Sequence, residues 1–549
     1  MRRIIYQFLL LAVLLNGTPA QALERPKLVV GIVVDQMRED FLFRFYNQYG
    51  EDGFKRLVKH GFVCRNVHYN YVPTITAVGH TSLWSGTTPK FHGIVGNSWY
   101  DRQTKKVVYC VDDSTEKIVG NDVPGTTIGV STRRLLTTNL ADELKICTNQ
   151  KGKVISVSIK DRAAALSSGH MADGVYWLDL NTGNFVSSTF FTQRLPDWLV
   201  AFNSRKLAYQ YIDQTWKLLL PADQYPFSLE DDNHYEEIMG GKTHPAFPYD
   251  LKEMASKNVP YFEVLNRSPW GNTLIADLAI EALKQEKLGK DNIPDLLQIS
   301  FSSTDAVGHT YGPLSMEIND TYLRLDRDLA RLLKALDNQV GKGNYVVFLV
   351  ADHGLGEVPQ YLEDHNIPAG DFKVEQLRAS LTAYLDDELG KGNWVECIRN
   401  EMVYLNQTLI RQRKLELTDV QNLVARFIKP MDGVAQVYTA VQLDEQEYTQ
   451  KFSANVQNGF NYKRCGDVKY VFEPGWYSDL TTCATHSAQY NADSHVPLVF
   501  FGACIPKGES FNDHSITDLA PTVSMLLDIK MPNACIGSAI AELLNRIHR

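Results

Sequence analysis

Three apolar runs in this chain end in acids. Leu28–Val34 stops at Asp35. Leu296–Phe301 leads through Ser302-Ser303-Thr304 to Asp305, with His309 four residues further on, and Tyr345–Val350 runs into Ala351-Asp352-His353-Gly354. A carboxylate held against buried apolar chain is costly unless a cation or hydrogen bonds compensate it. Asp305 and His309 can face one side of a turn or helix start and grip one ion. Asp352 and His353, being adjacent, project differently and reach a common ion only from a loop. Mixed Asp and His ligation suits zinc best, with manganese or iron as alternatives. A lone Asp-His-Gly is ordinarily a turn, and a lone strand-end aspartate is often a helix cap. Recurrence at three strand ends is what points to metal.

Two further clusters complement these ligands. Pro73-Thr74-Ile75-Thr76-Ala77-Val78-Gly79-His80 reads as a turn into a helix, where backbone N–H groups meet an anion. A hydroxyl there becomes a nucleophile only if a metal lowers its pKa, and spacing alone leaves Thr74, Thr76 and Thr81 as equal choices. Ser158-Ile159-Lys160-Asp161-Arg162 follows another apolar run. Read as a strand end, it puts Lys160 and Arg162 on one face. Two cations on one face repel unless they share an anion, and an ammonium beside a planar guanidinium suits phosphate oxygens.

The elements that must position these residues alternate. Leu28–Val34, Val154–Ile159, Leu296–Phe301, Tyr345–Val350 and Val496–Phe501 are near-continuous apolar runs, the signature of buried parallel strands. Between Ile318 and Leu336 the apolar positions Ile318, Tyr322, Leu325, Leu329, Leu332, Leu333 and Leu336 keep the helical period, and Asp518-Leu519-Ala520-Pro521 opens another helix. The expected fold is therefore α/β: an open, mostly parallel sheet with helices on both faces, binding its ligand at the carboxyl ends of the strands. Two stretches break the alternation. Residues 165–260 are rich in aromatics and turns, with a hairpin-like Leu178–Phe185, and residues 358–482 are polar and mixed. Both are expected to be insertions capping the ligand end, within one catalytic domain spanning 23–549.

Composition limits the partners. The 549 residues carry a net charge of -9, and losing Arg2 and Arg3 makes the balance two units more acidic. Such a chain has no bulk attraction to nucleic acid or anionic membrane, so an anionic substrate must be drawn in by a local site. Arg2-Arg3, the apolar stretch Ile4–Leu15 and Ala20-Gln21-Ala22 read as a signal peptide over 1–22, cleaved near Ala22. The apolar stretch is shorter than the ~20 residues a spanning helix needs. A periplasmic or secreted protein without stable membrane insertion is expected. Eight cysteines in an exported chain suggest up to four disulfides, and the absence of C-x-x-C spacing speaks against a thiolate zinc ribbon.

Taken in order, Asp35-Gln36-Met37-Arg38, Thr74-Ile75-Thr76-Ala77-Val78-Gly79-His80, Thr304-Asp305-Ala306-Val307-Gly308-His309, Ala351-Asp352-His353-Gly354 and Thr485-His486 resemble the alkaline phosphatase superfamily. The likeness is strongest to the monomeric periplasmic enzymes called phosphate-irrepressible and runs from about residue 28 to the C-terminal helix. It implies two Zn²⁺ per chain, one held by Asp305, His309 and His486 and the other by Asp35, Asp352 and His353. It selects Thr76 as the nucleophile and singles out His486, which nothing local marks. Asn97, Lys160 and Arg162 would contact the remaining phosphate oxygens. The dimeric members use serine and a third, magnesium ion. No acidic set for that ion is evident here, and Lys160 could take its place.

The activity implied is hydrolysis of a broad range of phosphate monoesters through a phosphothreonine, by a monomer. The closest rival is a phosphodiesterase or nucleotide pyrophosphatase of the same superfamily. A diester carries one fewer non-bridging charge, so two cations aimed at phosphate favour the monoester. Sulfatases need a C/S-x-P-x-R motif that the Thr76 region lacks. A metal-dependent phosphoglycerate mutase would not ordinarily be exported. A non-catalytic metal- or phosphate-binding protein would have no need of Thr76.

Overall fold

The structure is a computed structural model describing residues 25–121 and 128–547. The stretch read as a signal peptide lies outside the described residues. Ten strands make the main sheet: β1 (Leu28–Val34), β2 (Phe62–Cys64), β3 (Ile118–Val119), β4 (Val154–Ser158), β5 (Gly174–Asp179), β6 (Asn184–Ser188), β7 (Asp295–Phe301), β8 (Tyr345–Val350), β9 (Leu498–Gly502) and β10 (Gly508–Ser510). Their spatial order is β10-β2-β9-β8-β1-β7-β4-β5-β6-β3. The five central strands, β8-β1-β7-β4-β5, are mutually parallel. Every residue of β1, β7 and β8 is buried, so both faces of the sheet are covered.

The expected runs at Leu28–Val34 and Tyr345–Val350 are strands with those bounds, and Leu296–Phe301 begins one residue earlier. One expectation is corrected. The run at Val496–Phe501 becomes β9, which lies antiparallel to β8, and β2 in turn is antiparallel to β9. An apolar run reports burial, not direction, and this strand is buried over Leu498, Val499 and Phe500 whichever way it runs. The sheet is thus parallel at its centre and mostly antiparallel toward both edges.

Five helices bear on the site: α1 (Thr76–Ser85), α2 (Asp161–Ser168), α3 (Ser303–Tyr311), α4 (Met316–Gln339) and α5 (Leu519–Leu527). The predicted period in α4 is its buried stripe, and the helix starts where Ser315 accepts the Ile318 N–H at 3.1 Å. Residues 374–472 carry a separate four-stranded antiparallel sheet, and Leu377, Leu381, Leu385, Val424, Ile428 and Tyr470 share a second apolar core there. Residues 174–188 belong to the main sheet itself. They form the hairpin β5–β6, with Leu178 opposite Phe185 and Gly183 at φ 70° in the turn.

Cys64, Cys110 and Cys465 are buried, and none of the three is in a disulfide. They behave as small apolar side chains where the chain packs them, so the expected pairing is not found at these positions.

Sheet register sets the height of the site. Val33 is level with Ser300 of β7 and Val350 of β8, and Ser300 is level with Ser158 of β4. Two residues beyond that line lie Asp35, Asp352 and Lys160. α1 closes on the same edge because Gly79 lies against the backbone of Asp352, where an added Cβ would collide with the Asp352 carbonyl oxygen. Gly79→Ala is therefore expected to lower stability by about 1–3 kcal/mol, read from the urea midpoint. An unchanged midpoint would show that α1 does not depend on this close approach.

Candidate active site

Asp35 follows β1, and its N–H donates to the Phe301 carbonyl at 3.0 Å, so the turn stays tied to β7. Thr304 Oγ1 donates to the Asp35 carbonyl at 2.5 Å. The next residue, Gln36, has φ 66°, a left-handed conformation uncommon for a residue with a side chain. That turn puts its backbone N–H 3.2 Å from Asp352 Oδ1 and its amide Nε2 2.8 Å from Asp305 Oδ1. One residue therefore ties together the ends of three strands.

The six side chains predicted as ligands are brought together. Asp305, His353 and His486 have ligand atoms within 4.8 Å of one another, as do Asp35, Asp352 and His353. His309 joins through Asp305, its Nε2 lying 3.3 Å from Asp305 Oδ1. His486 Nε2 is 3.5 Å from the same oxygen. The grouping differs in one respect from that expected: His353 stands between the two sets, stacked on His486 at 3.6 Å between ring centroids.

Each of these imidazoles has its Nδ1 beside a backbone carbonyl: His309 with Ala484 at 2.8 Å, His353 with Gly354 at 3.0 Å, and His486 with Thr74 at 2.7 Å. A carbonyl only accepts, so Nδ1 carries the hydrogen and Nε2 presents its lone pair to the carboxylates. This is the tautomer a metal needs.

The electrostatics are those of a cation site. Asp35 is raised well above the usual carboxylate range, first by burial and then by repulsion from Asp305 and Asp352. Burial opposes ionisation of Asp305 and Asp352 as well. Lys160 and then His309 overcome it for Asp305, and His353 and then His80 for Asp352, so that both lie below the usual range. Burial pushes His353 down to about 3, leaving it neutral and able to ligate. Asp35 Oδ1 is buried and accepts no hydrogen bond. A donor set of three carboxylates and three neutral-capable imidazoles, with an orphaned oxygen on Asp35 and another on Asp352, fits two metal ions.

Thr76 is the first residue of α1, and Ile75 before it supplies no side-chain cap. Its Oγ1 lies 3.4 Å from both His353 Nε2 and Lys160 Nζ. Thr74 Oγ1 instead donates to the Ala488 carbonyl, and Thr81 Oγ1 to the Ala77 carbonyl. Geometry thus separates the three threonines that spacing left equivalent.

Lys160 and Arg162 are not on a strand. β4 stops at Ser158, Lys160 precedes α2 and Arg162 lies in its first turn, so the same-face argument from strand geometry does not apply. Lys160 Nζ sits 2.6 Å from both Asp35 Oδ2 and Asp305 Oδ2, between the two ligand sets. Arg162 Nη1 donates to Tyr109 Oη at 3.1 Å, and that hydroxyl donates to Asp161 at 2.7 Å. Asn97 accepts the Ala77 N–H at 3.0 Å, beside the threonine. Lys160, Arg162, Asp305 and His309 all line one open cleft of about 900 Å³.

Three supporting residues escaped the sequence reading. Gln36 and His80 lie inside quoted motifs but had no assigned role. His80 Nδ1 is 3.0 Å from the Thr76 carbonyl and 3.1 Å from Asp352 Oδ2, and its Nε2 is 3.1 Å from Ser300 Oγ. Tyr109, which orients Arg162, lies in a segment with no local signal at all.

Residues 29–492 match the family model described as type I phosphodiesterase / nucleotide pyrophosphatase. The chain is 42% identical to alkaline phosphatase PafA of Elizabethkingia meningoseptica, covering 97% of each chain. It is 39% identical to a protein of Myroides odoratus named calcium-transporting ATPase, covering 96% of each. It is 40% identical to alkaline phosphatase PhoV of Synechococcus elongatus, covering 95% of this chain and 94% of that one. A crystal structure of wild-type alkaline phosphatase PafA superimposes with a TM-score of 0.91 at 41% identity, covering 95% of this chain and all of the other. With the fold, the buried Asp/His sets and this similarity in hand, the chain belongs to the type I phosphodiesterase / nucleotide pyrophosphatase family and has the alkaline-phosphatase-like fold.

Proposed function

We propose that the protein is a zinc-dependent alkaline phosphatase that hydrolyses a broad range of phosphate monoesters through a phosphothreonine on Thr76. The observation that carries this reading is the single hydroxyl of Thr76, within 3.4 Å of both His353 and Lys160 and beside two buried Asp/His sets. Its full-length likeness to proteins named alkaline phosphatase supports the same substrate class. The Myroides relative is named for ATP hydrolysis, also a phosphoryl transfer to water. No helix among the described residues is long and apolar enough to cross a membrane.

Two zinc ions, one with Asp305, His309 and His486 and one with Asp35, Asp352 and His353, would supply Lewis-acid stabilisation of the attacking and departing oxygens. The chain's own residues do the rest. Thr76 Oγ1 attacks phosphorus as the bond to the ester oxygen breaks, and water later cleaves the phosphothreonine. Lys160, held ionised by Asp305 and Asp35 despite its burial, places a positive charge 3.4 Å from the nucleophile. Arg162, steadied by Tyr109, and Asn97, anchored to the Ala77 N–H, complete the phosphate contacts. Gln36 holds Asp305 and Asp352 in their places for ligation.

The matched family is described by diester and pyrophosphate substrates, which makes a phosphodiesterase the second reading. Lys160 argues for the monoester, because a dianion gains more from a second fixed cation than a monoanion does. Export rests on the N-terminal pattern, and we take the protein to act as a periplasmic or secreted monomer.

Three outcomes test this. Thr76→Ala and chelation are each expected to abolish p-nitrophenyl phosphate turnover, and acid-quenched wild type to yield a phosphothreonine peptide. Undiminished turnover by the metal-free protein would remove the mechanism. Lys160→Ala should lower kcat/KM for the monoester far more than for bis-p-nitrophenyl phosphate, and an equal loss on both would contradict the role given to Lys160. Gln36→Ala should weaken metal retention roughly 10–100-fold in competition with a chromogenic chelator. Wild-type retention in that variant would make Gln36 a bystander.

A further inference from the structure

Four segments far apart in sequence meet beyond the carboxyl end of α1 and carry charge of one sign. Residues 86–93, 133–139, 460–466 and 529–540 contain Lys90, Arg133, Arg134, Lys463, Arg464 and Lys530 but no aspartate or glutamate, in a chain whose net charge is -9. Hydrogen bonds tie them into one face. The Leu136 N–H donates to the His92 carbonyl at 3.1 Å, Asn461 Nδ2 to the Lys90 carbonyl at 3.0 Å, and the Ile536 N–H to the Gly86 carbonyl at 2.9 Å. Thr138 and Asn533 exchange two more, at 3.0 and 2.9 Å. The nearest flanking acids are engaged, Asp528 with Arg25 and Asp467 with Arg102.

Most of these cations are not neutralised in place. Lys90, Lys463 and Lys530 are exposed and pair with no carboxylate among the described residues. Arg464 donates to the Gly93 and Arg134 carbonyls. Burial and then the charge of Arg134 push it down to about 10, against a weaker pull from Asp101. Arg133 is the exception, held by Asp113 and Glu116. Among these charges stand Phe91, Leu136, Tyr462, Met531 and Ile536, each between 43% and 65% exposed. One exposed apolar side chain needs no explanation, but a group of them on one face marks a binding surface.

Charge and apolar surface together choose the partner. A second copy packed symmetrically would set these cations against themselves. A polyanion would take the charges and leave the apolar side chains wet. An anionic bilayer answers both, because lipid phosphates meet the lysines while aromatic and aliphatic side chains enter the boundary between headgroups and acyl chains. We propose that this face docks reversibly on an anionic phospholipid bilayer. The acidic chain as a whole gives no bulk attraction, so the contact depends on this face. α1 spans ten residues, about 15 Å, from Ser85 beside the face to Thr76 at the cleft, so docking here leaves Thr76 uncovered. The first described residue, Arg25, reaches the same edge through Asp528, two positions before Lys530.

The test is co-sedimentation of the mature chain, catalytic metals loaded and the N-terminal apolar stretch removed, with phospholipid vesicles. These are equal parts phosphatidylglycerol and phosphatidylcholine, or phosphatidylcholine alone. Partition to the anionic vesicles is expected to exceed that to the neutral ones by roughly tenfold or more, and to fall steeply as salt is raised. Lys90→Glu combined with Lys463→Glu should cut it by roughly tenfold or more. Phe91→Ser combined with Met531→Ser should cut it severalfold, and both variants should keep p-nitrophenyl phosphate turnover in solution. Equal partition to the two vesicles, or wild-type partition in the lysine variant, overturns the proposal. Loss in the lysine variant with none in the apolar one gives the face to a polyanion, and dimerisation abolished by the apolar variant gives it to a second copy. Either result overturns the lipid assignment.

Discussion

Mutual repulsion among Asp35, Asp305 and Asp352 is the constraint around which this molecule is arranged. Three carboxylates at or near zero exposure, gathered at the end of one sheet, cannot all be ionised without positive charge between them. Lys160 supplies part of that charge from the chain, and the flanking imidazoles are held in the form that accepts metal. Asp35 carries the remaining imbalance, as its raised pKa and orphaned oxygen both record. A protein built for stability alone would replace such a cluster with apolar side chains. Its persistence in a close-packed core is the signature of a site that acts on anions.

Holding the cluster together takes structure from across the chain. Parallel pairing at the sheet centre puts the ends of four strands side by side, and register brings Asp35, Asp352 and Lys160 to one level. The second layer of contacts then crosses between elements. His486 is fixed by the carbonyl of Thr74, just before the helix that Thr76 opens, and His309 by that of Ala484, two residues before His486. Gln36 grips two of the carboxylates at once. Displacing any one segment therefore disturbs ligands on others, which is why the loop around His486 belongs to the site despite its distance in sequence.

Charge on the surface carries less weight: pairs such as Lys252–Asp213 are water-screened.

Much of this was legible in the chain as written. Strand interiors in a doubly covered sheet must be apolar on both faces, so β1, β7 and β8 stood out as runs, and α4 as a 3.6-residue period. Aspartates and histidines at the ends of such runs identified the metal chemistry, because burying them uncompensated is too costly to happen by accident. Other features had no local trace. The direction of β9, the helical rather than strand setting of Lys160 and Arg162, the burial of Cys64, Cys110 and Cys465, and the roles of Gln36, His80 and Tyr109 all depend on which distant segments meet. Spacing left Thr76 level with Thr74 and Thr81; the family resemblance chose among them, and what each hydroxyl touches separates them in the fold. Periodicity and side-chain chemistry are properties of neighbours along the chain, whereas partners and distances between elements exist only once long-range packing has closed.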